Sequence, residues 1–191
     1  MEISRNTSFY EWFKESKVVN ENGQPLTVYH GTNSKGDFNT FKLMGKDIGI
    51  HFGTIEHAEC RLNSSDDYEY SRLIPVFLNI KNPLEVEDIF GTPYTFFRKM
   101  CNDDCYEGYG ILTDEEEKYI WLKYGDDFEQ TDYWHTLNDA EFYKDMLNFI
   151  TSKGYDGFKY LNDVEKDGSS NYEYSWVVFN PEQIKGIYTI N

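Results

Sequence analysis

Two short β-prone runs constrain this chain most. Val28-Tyr29-His30-Gly31-Thr32 and Gly49-Ile50-His51-Phe52-Gly53 each join apolar, strand-favouring residues to a histidine and a glycine. A glycine at a strand end removes the Cβ that keeps other molecules off the main chain. The N–H and C=O exposed there match the one acceptor and one donor of a flat carboxamide, each bond contributing ~1 kcal/mol net. His30 is placed to bond a sugar hydroxyl, and Thr32 adds a hydroxyl of its own. A lone His-Gly-Thr is ordinarily a structural strand end; two such runs in close succession ask for more.

The flanking sequence reads as short strands interrupted by helices. Phe9, Trp12 and Phe13 share one helical face, which predicts a helix over Ser8 to Lys17. Asn20-Glu21-Asn22-Gly23 is a turn, and Pro25 leads into a strand over Leu26 to Tyr29 that ends at His30. Phe38 and Phe41 are placed to pin a polar loop, Asn33 to Asp37, onto the core. Ile48 to Phe52 is the next strand, and Thr54 caps a helix running to Leu62. Leu73 to Ile80 is a strand, and Pro75 inside it predicts an edge position. Asn82-Pro83 ends that strand. Gly154-Tyr155-Asp156-Gly157 is a turn, followed by a strand over Phe158 to Leu161 and a polar loop over Asp163 to Asn171. Tyr174 to Phe179 is the last strong strand, with one more over Ile184 to Ile190.

Between Glu85 and Ile150, helices are expected over Asp88 to Met100, Asp114 to Tyr124 and Leu137 to Ile150. The acidic run Asp114-Glu115-Glu116-Glu117 favours a helix start. No internal repeat is visible. The expectation is a single α+β domain, 1–191, in which 85–150 is an acidic helical insertion.

The core must draw on the 16 Tyr, 14 Phe and 4 Trp, and a chain so rich in aromatics folds. A net charge of −16 argues against broad binding to nucleic acid or an anionic membrane, and is compatible with a basic protein partner. Cys60, Cys101 and Cys105 make an odd count with no leader, which points to a reducing, cytoplasmic compartment. Cys101-Asn102-Asp103-Asp104-Cys105 lacks the further ligands a metal needs, so no metal is expected. No apolar run reaches the roughly 20 residues that span a bilayer. His57 and His135 read as surface or helix-face histidines.

His30-Gly31-Thr32 and Gly49-Ile50-His51-Phe52 resemble the first two NAD-binding motifs of the diphtheria-toxin-like and poly(ADP-ribose)-polymerase-like ADP-ribosyltransferases. The chain is more similar still to the small branch found in phage and mobile-element polyvalent proteins. That branch carries segments like Ser16-Lys17-Val18-Val19, Gly23-Gln24-Pro25-Leu26 and Pro75-Val76-Phe77-Leu78-Asn79-Ile80-Lys81-Asn82-Pro83. It also carries ones like Gly154-Tyr155-Asp156-Gly157 and Val177-Val178-Phe179-Asn180-Pro181-Glu182-Gln183-Ile184-Lys185. The stretch between Glu85 and the C-terminal segments is not covered.

The resemblance implies that His30 bonds the adenosine-side ribose and that Gly31 holds the nicotinamide carboxamide through its main chain. Thr32, Gly49, His51 and Phe52 would complete the NAD site. The family often has tyrosine where this chain has His51, which must be neutral to lie against a nicotinamidium. A further family aromatic on the next helix is absent, and Cys60 and Arg61 stand near its place. The family's third motif is a glutamate at the start of the last core strand, whose carboxylate stabilises the cation formed as nicotinamide leaves. Counting back from Val177 places Ser175 there, with Glu173 two residues earlier, roughly 6–7 Å along the strand. Glu173 is taken as the acid and Ser175 as a ribose contact; the alternative is that Ser175 binds the ribose and no carboxylate assists.

What the resemblance implies as a whole is an α+β ADP-ribosyltransferase fold, with two small antiparallel sheets forming an NAD cleft. The activity would be mono-ADP-ribosyl transfer from NAD, as co-substrate, to a macromolecular target. A protein is the first choice of target, a host protein if the chain is phage-encoded, and nucleic acid is the second. Two alternatives stay open: an NAD glycohydrolase, and a non-catalytic acidic protein that docks on a basic partner or mimics nucleic acid.

Overall fold

The computed structural model describes residues 7–35, 40–43, 47–63, 70–88, 92–129, 139–162 and 173–187. Phe38, His135, the expected loop over 163–171 and the end of the last strand lie outside the described residues.

Helix α1, Thr7–Phe13, is shorter than its periodicity predicts. Glu15 takes a left-handed φ of 70°. Beyond it, the buried Ser16 donates its hydroxyl to Leu78 O at 2.8 Å, and Lys17 N–H donates to Ile80 O at 2.7 Å. Serine bonds of this kind compete with helix continuation. The apolar face of α1 behaves as predicted: Phe9 and Phe13 are buried against Phe77.

Strands β1 (Val28–Thr32), β3 (Arg72–Leu78) and β7 (Ile184–Gly186) form one sheet in the order β1-β3-β7. Strands β2 (Ile50–Phe52), β4 (Pro83–Val86), β5 (Gly157–Asn162) and β6 (Glu173–Val178) form the other, ordered β2-β6-β5-β4. Val28, Val76 and Leu78 from the first sheet meet Ile50, Phe52, Trp176 and Val178 from the second in one buried cluster. Each fully buried apolar side chain of this size contributes ~1.5–3 kcal/mol. The pairings are antiparallel except β4 with β5, which runs parallel from Pro83↔Gly157 to Val86↔Tyr160. Strand β4 was not foreseen, because Asn82-Pro83 reads as a stop; its proline sits at the strand's first residue, where the ladder tolerates one.

Pro75 does not mark an edge strand, since β3 is central in its sheet. Both backbone groups of the opposing Tyr29 bond to Gly53 instead, at 2.8 and 3.0 Å. Tyr29↔Pro75 is therefore the non-hydrogen-bonded kind of antiparallel pair. The donor that Pro75 lacks would face β7, whose pairing with β3 covers only Val76 to Leu78.

Asp156 is more than a turn former. Its two carboxylate oxygens accept from Lys81 N–H and Asn82 N–H, each at 2.8 Å. Gln183 Nε2–H donates to the Asp156 carbonyl at 2.7 Å. The residue thus ties the β3–β4 bend to the start of β5 and to the turn before β7. Asp156→Ala is expected to destabilise the protein by about 1–3 kcal/mol, read as a shifted urea midpoint at unchanged slope.

The chain forms two compact units. One comprises Met1–Leu43, Gly49–Asp88 and Asp156–Asn191 and holds both sheets; the other comprises Met44–Ile48 and Ile89–Tyr155. The second unit carries α3 (Pro93–Met100), α4 (Asp114–Glu129) and α5 (Asp139–Ser152). Helix α3 starts at Pro93 rather than Asp88, because Thr92 caps it by accepting from Thr95 N–H at 3.2 Å. Burial pushes the Cys101 thiol up to about 12. Among the described residues no helix is long and apolar enough to cross a membrane.

Candidate functional site

The runs Val28–Thr32 and Gly49–Gly53 lie side by side. Tyr29 N–H donates to Gly53 O and Gly53 N–H to Tyr29 O, which bridges the two sheets at β1 and the end of β2. Backbone groups alternate sides along a strand. The N–H and C=O of Gly31, two residues on, therefore face the same edge as those of Tyr29. No described residue pairs with them there. The motif lies within the strand rather than just beyond its end, and its edge beyond the bridge presents one donor and one acceptor.

The reason position 31 is glycine differs from the sequence expectation. A Cβ there would lie 2.5 Å from Ala58 O and 3.0 Å from Leu62 Cγ. The space belongs to α2, Ile55–Asn63, which packs across β1. Thr54 caps that helix as predicted, its hydroxyl accepting from His57 N–H at 3.2 Å. Gly49 is likewise a packing glycine, with a Cβ 2.5 Å from both Val177 Cγ1 and Val178 O.

His30 donates its Nδ1–H to the carbonyl of His51 at 2.9 Å. This fixes the neutral tautomer with Nε2 as the acceptor nitrogen. The ring packs against both Phe41 and Phe52, at centroid distances of 5.4 and 5.5 Å. Burial holds its pKa below 6.5, outweighing the bond to His51 O; the charges of His51 and Arg61 push it the same way. Phe52 is itself buried in the core, so it touches the site through the His30 ring. The Thr32 hydroxyl bonds locally, accepting from Ser34 N–H and donating to Ser34 Oγ, both at 3.2 Å. His51 is half-buried, with Nδ1 3.4 Å from the Tyr160 hydroxyl and the two rings edge to face.

Strand β6 pairs with β2 through His51↔Val177 and Phe52↔Trp176, which makes the third-motif strand a direct neighbour of the second. Ser175 is 1% exposed. Its hydroxyl lies 3.1 Å from His57 Nδ1 and accepts from Asn162 Nδ2–H at 3.0 Å. His57 is no surface histidine: it is 5% exposed. Gly53 sits against this pair, where a Cβ would be 2.7 Å from Ser175 Oγ and 2.8 Å from His57 Cβ.

Glu173 is exposed at the start of β6, opposite Asn162. It lines an open groove of about 1020 Å³ together with Lys17, Lys81, Lys159, Thr54, Tyr174 and Trp176. Lys159 is paired with Glu85 at 2.8 Å and lies 3.9 Å from the Tyr174 ring centroid. His30, Gly31 and His51 are not among the residues of that groove. The structure therefore brings His30, Gly31, His51, Phe52 and Ser175 to one junction, while Glu173, two residues before Ser175 on β6, lines the groove. Asn162 and His57 are the polar residues that sequence reasoning missed. The one signal for His57 was its place on the first turn of a capped helix, and Asn162 had none.

No curated protein and no solved structure gives a significant match. A family model, described as ADP-ribosyltransferase in polyvalent proteins, matches residues 20–191. The match spans both sheets, all three motif strands and the segment between Glu85 and Tyr155. With the strand neighbourhood above, it supplies the conclusion: the chain belongs to the ADP-ribosyltransferase family of polyvalent proteins.

Proposed function

We propose that this protein is a mono-ADP-ribosyltransferase that takes NAD as co-substrate and modifies a protein target. The observation that carries the reading is the outward-facing main-chain edge at Gly31, beside a neutral His30 and one strand away from His51. In this reading the Gly31 N–H and C=O pair with the carboxamide, His30 Nε2 accepts from a ribose hydroxyl, and His51 borders the pyridine ring.

The bond broken is the one between the nicotinamide nitrogen and the anomeric carbon, its electron pair going to the ring nitrogen. The acceptor nucleophile forms the new bond at that carbon and gives up its proton. Nicotinamide leaves as a neutral molecule, so the site must favour the cation that develops on the ribose. Glu173 is the carboxylate assigned to that task; the Ser175 hydroxyl, read from sequence as a ribose contact, is buried and engaged by Asn162 and His57 instead.

Calorimetric titration with NAD tests the binding step. Nicotinamide release and mass spectrometry of a cell lysate incubated with isotopically labelled NAD test the transfer. The expected result is saturable binding and labelled ADP-ribose on a protein. Glu173→Gln is expected to slow nicotinamide release at least about tenfold with binding retained, the usual signature of a group that acts on the transition state. A flat titration defeats the proposal. Nicotinamide release with no adduct assigns the water-accepting reaction instead.

A further inference from the structure

Four elements of the sheet-bearing unit converge on one buried polar point: Gly53 after β2, His57 on α2, Asn162 at the end of β5 and Ser175 on β6. His57, Asn162 and Ser175 are 5%, 1% and 1% exposed. Buried polar groups cost free energy unless they satisfy one another. A serine hydroxyl has one proton and two lone pairs. Asn162 Nδ2–H takes one lone pair at 3.0 Å, and the hydroxyl's remaining capacity meets His57 Nδ1 at 3.1 Å. Gly53 completes the arrangement, because any side chain there would collide with both Ser175 Oγ and His57.

The trio fixes one end of α2. The rest of the helix is fixed by contact of a different kind, Ala58 O in its middle and Leu62 near its end against the bare face of Gly31. A helix held at two points cannot rotate or slide without breaking one of them. Arg61 lies one turn beyond His57 on the same helical face. Its charge reaches His30.

We propose that His57, Ser175 and Asn162 form a buried lock that sets α2 across β1, and that His57 and Asn162 are thereby positioning residues for the NAD site. The inference rests on the functional reading above for its kinetic consequence, not for the lock itself. His57 and Asn162 do not touch substrate in this scheme; they act through the placement of α2 behind Gly31.

The test uses the full chain and the variants His57→Ala, His57→Asn and Asn162→Ala. Asparagine places an amide where the imidazole has Nδ1, so it keeps the bond to Ser175. Two readouts are taken: KM for NAD against kcat in nicotinamide release, and amide hydrogen exchange over residues 55–63. His57→Ala is expected to raise KM about tenfold while kcat changes less than about threefold, the pattern of lost binding rather than lost chemistry. Exchange in α2 should quicken while β3 and β7 stay protected, and His57→Asn should restore both readouts. Should His57→Ala fail to fold, Asn162→Ala carries the test, since it keeps the His57–Ser175 contact and weakens the lock from the other side. Unchanged KM and unchanged α2 exchange in a folded variant overturn the proposal, as does failure of asparagine to restore them. Should the wild-type chain not take NAD at all, the functional reading fails on its own. Exchange in α2 then decides the lock: faster in His57→Ala and restored by asparagine sustains it, unchanged defeats it.

Discussion

Gly31→Ala is expected to abolish NAD binding. The added Cβ would stand 2.5 Å from Ala58 O, a main-chain atom in the middle of α2. A flexible side chain could swing aside, but a helix backbone has to move as a body. Either α2 lifts from β1 or β1 bends away from its neighbour, and both displace the Gly31 edge assigned to the carboxamide. Overpacking of this sort costs about 1–3 kcal/mol of stability, so the variant should still fold. The measurement pairs a denaturation curve with an NAD titration. Gly23→Ala is the control: its backbone is at φ +72° with nothing within 4 Å, so it loses about 1 kcal/mol or more to strain and leaves NAD binding intact. If Gly31→Ala binds NAD as the wild type does, α2 is not what constrains position 31 and the carboxamide assignment loses its support.

His30→Ala is the second large effect, with an expected loss in NAD affinity of about a hundredfold, the equivalent of ~2.7 kcal/mol. Three contributions act together. The bond from Nδ1–H to His51 O disappears, which leaves the Tyr29–Gly53 bridge to tie β1 to the end of β2. The ring packed against Phe41 and Phe52 leaves a void. The Nε2 acceptor for the ribose is lost. His30→Asn separates them, since its amide N–H can still donate to His51 O but nothing replaces Nε2. Asparagine should therefore recover stability and not affinity. Acid should act on the same residue. The folded pKa lies below 6.5, so the unfolded chain takes up the proton first. Stability is then lost as pH falls below 6.5, and the sign follows from the greater proton uptake of the unfolded state. The same proton converts Nε2 into a donor and removes its role toward a hydroxyl. Urea midpoints and NAD titrations on either side of neutrality, with His30→Asn alongside, check both effects.

Much of the sheet-bearing unit was legible because its strands are short, apolar and punctuated by turn residues. The Asn20 turn is one example, its side chain accepting from Asn22 N–H and Gln24 N–H at 3.0 Å each. What misled was local chemistry whose meaning depends on a distant partner. Pro75 rules out a central strand only if both flanks are paired at that residue, and the shortness of β7 is not written near it. Ser16 ended α1 early by bonding to Leu78, sixty-two residues away. At the site, the identity of His30 and Gly31 could be read, but the cause of the glycine could not. Nothing in Gly31-Thr32 announces that Ala58 will press on it. His57 was misjudged for the same reason. A histidine on a helix is ordinarily at the surface, and only the fold brings Ser175 and Asn162 beneath it.

The parallel pairing of β4 with β5 has a consequence for how this enzyme class can diversify. Antiparallel neighbours can be joined by a two-residue hairpin, but parallel ones need a return path of a dozen residues or more. The stretch from 89 to 155 is that return path. Its length has a floor set by geometry and no ceiling, and its composition is untouched by the ladder it serves. A lineage could exchange this cargo for another, and with it whatever the cargo recognises, without disturbing the register from Pro83↔Gly157 onward.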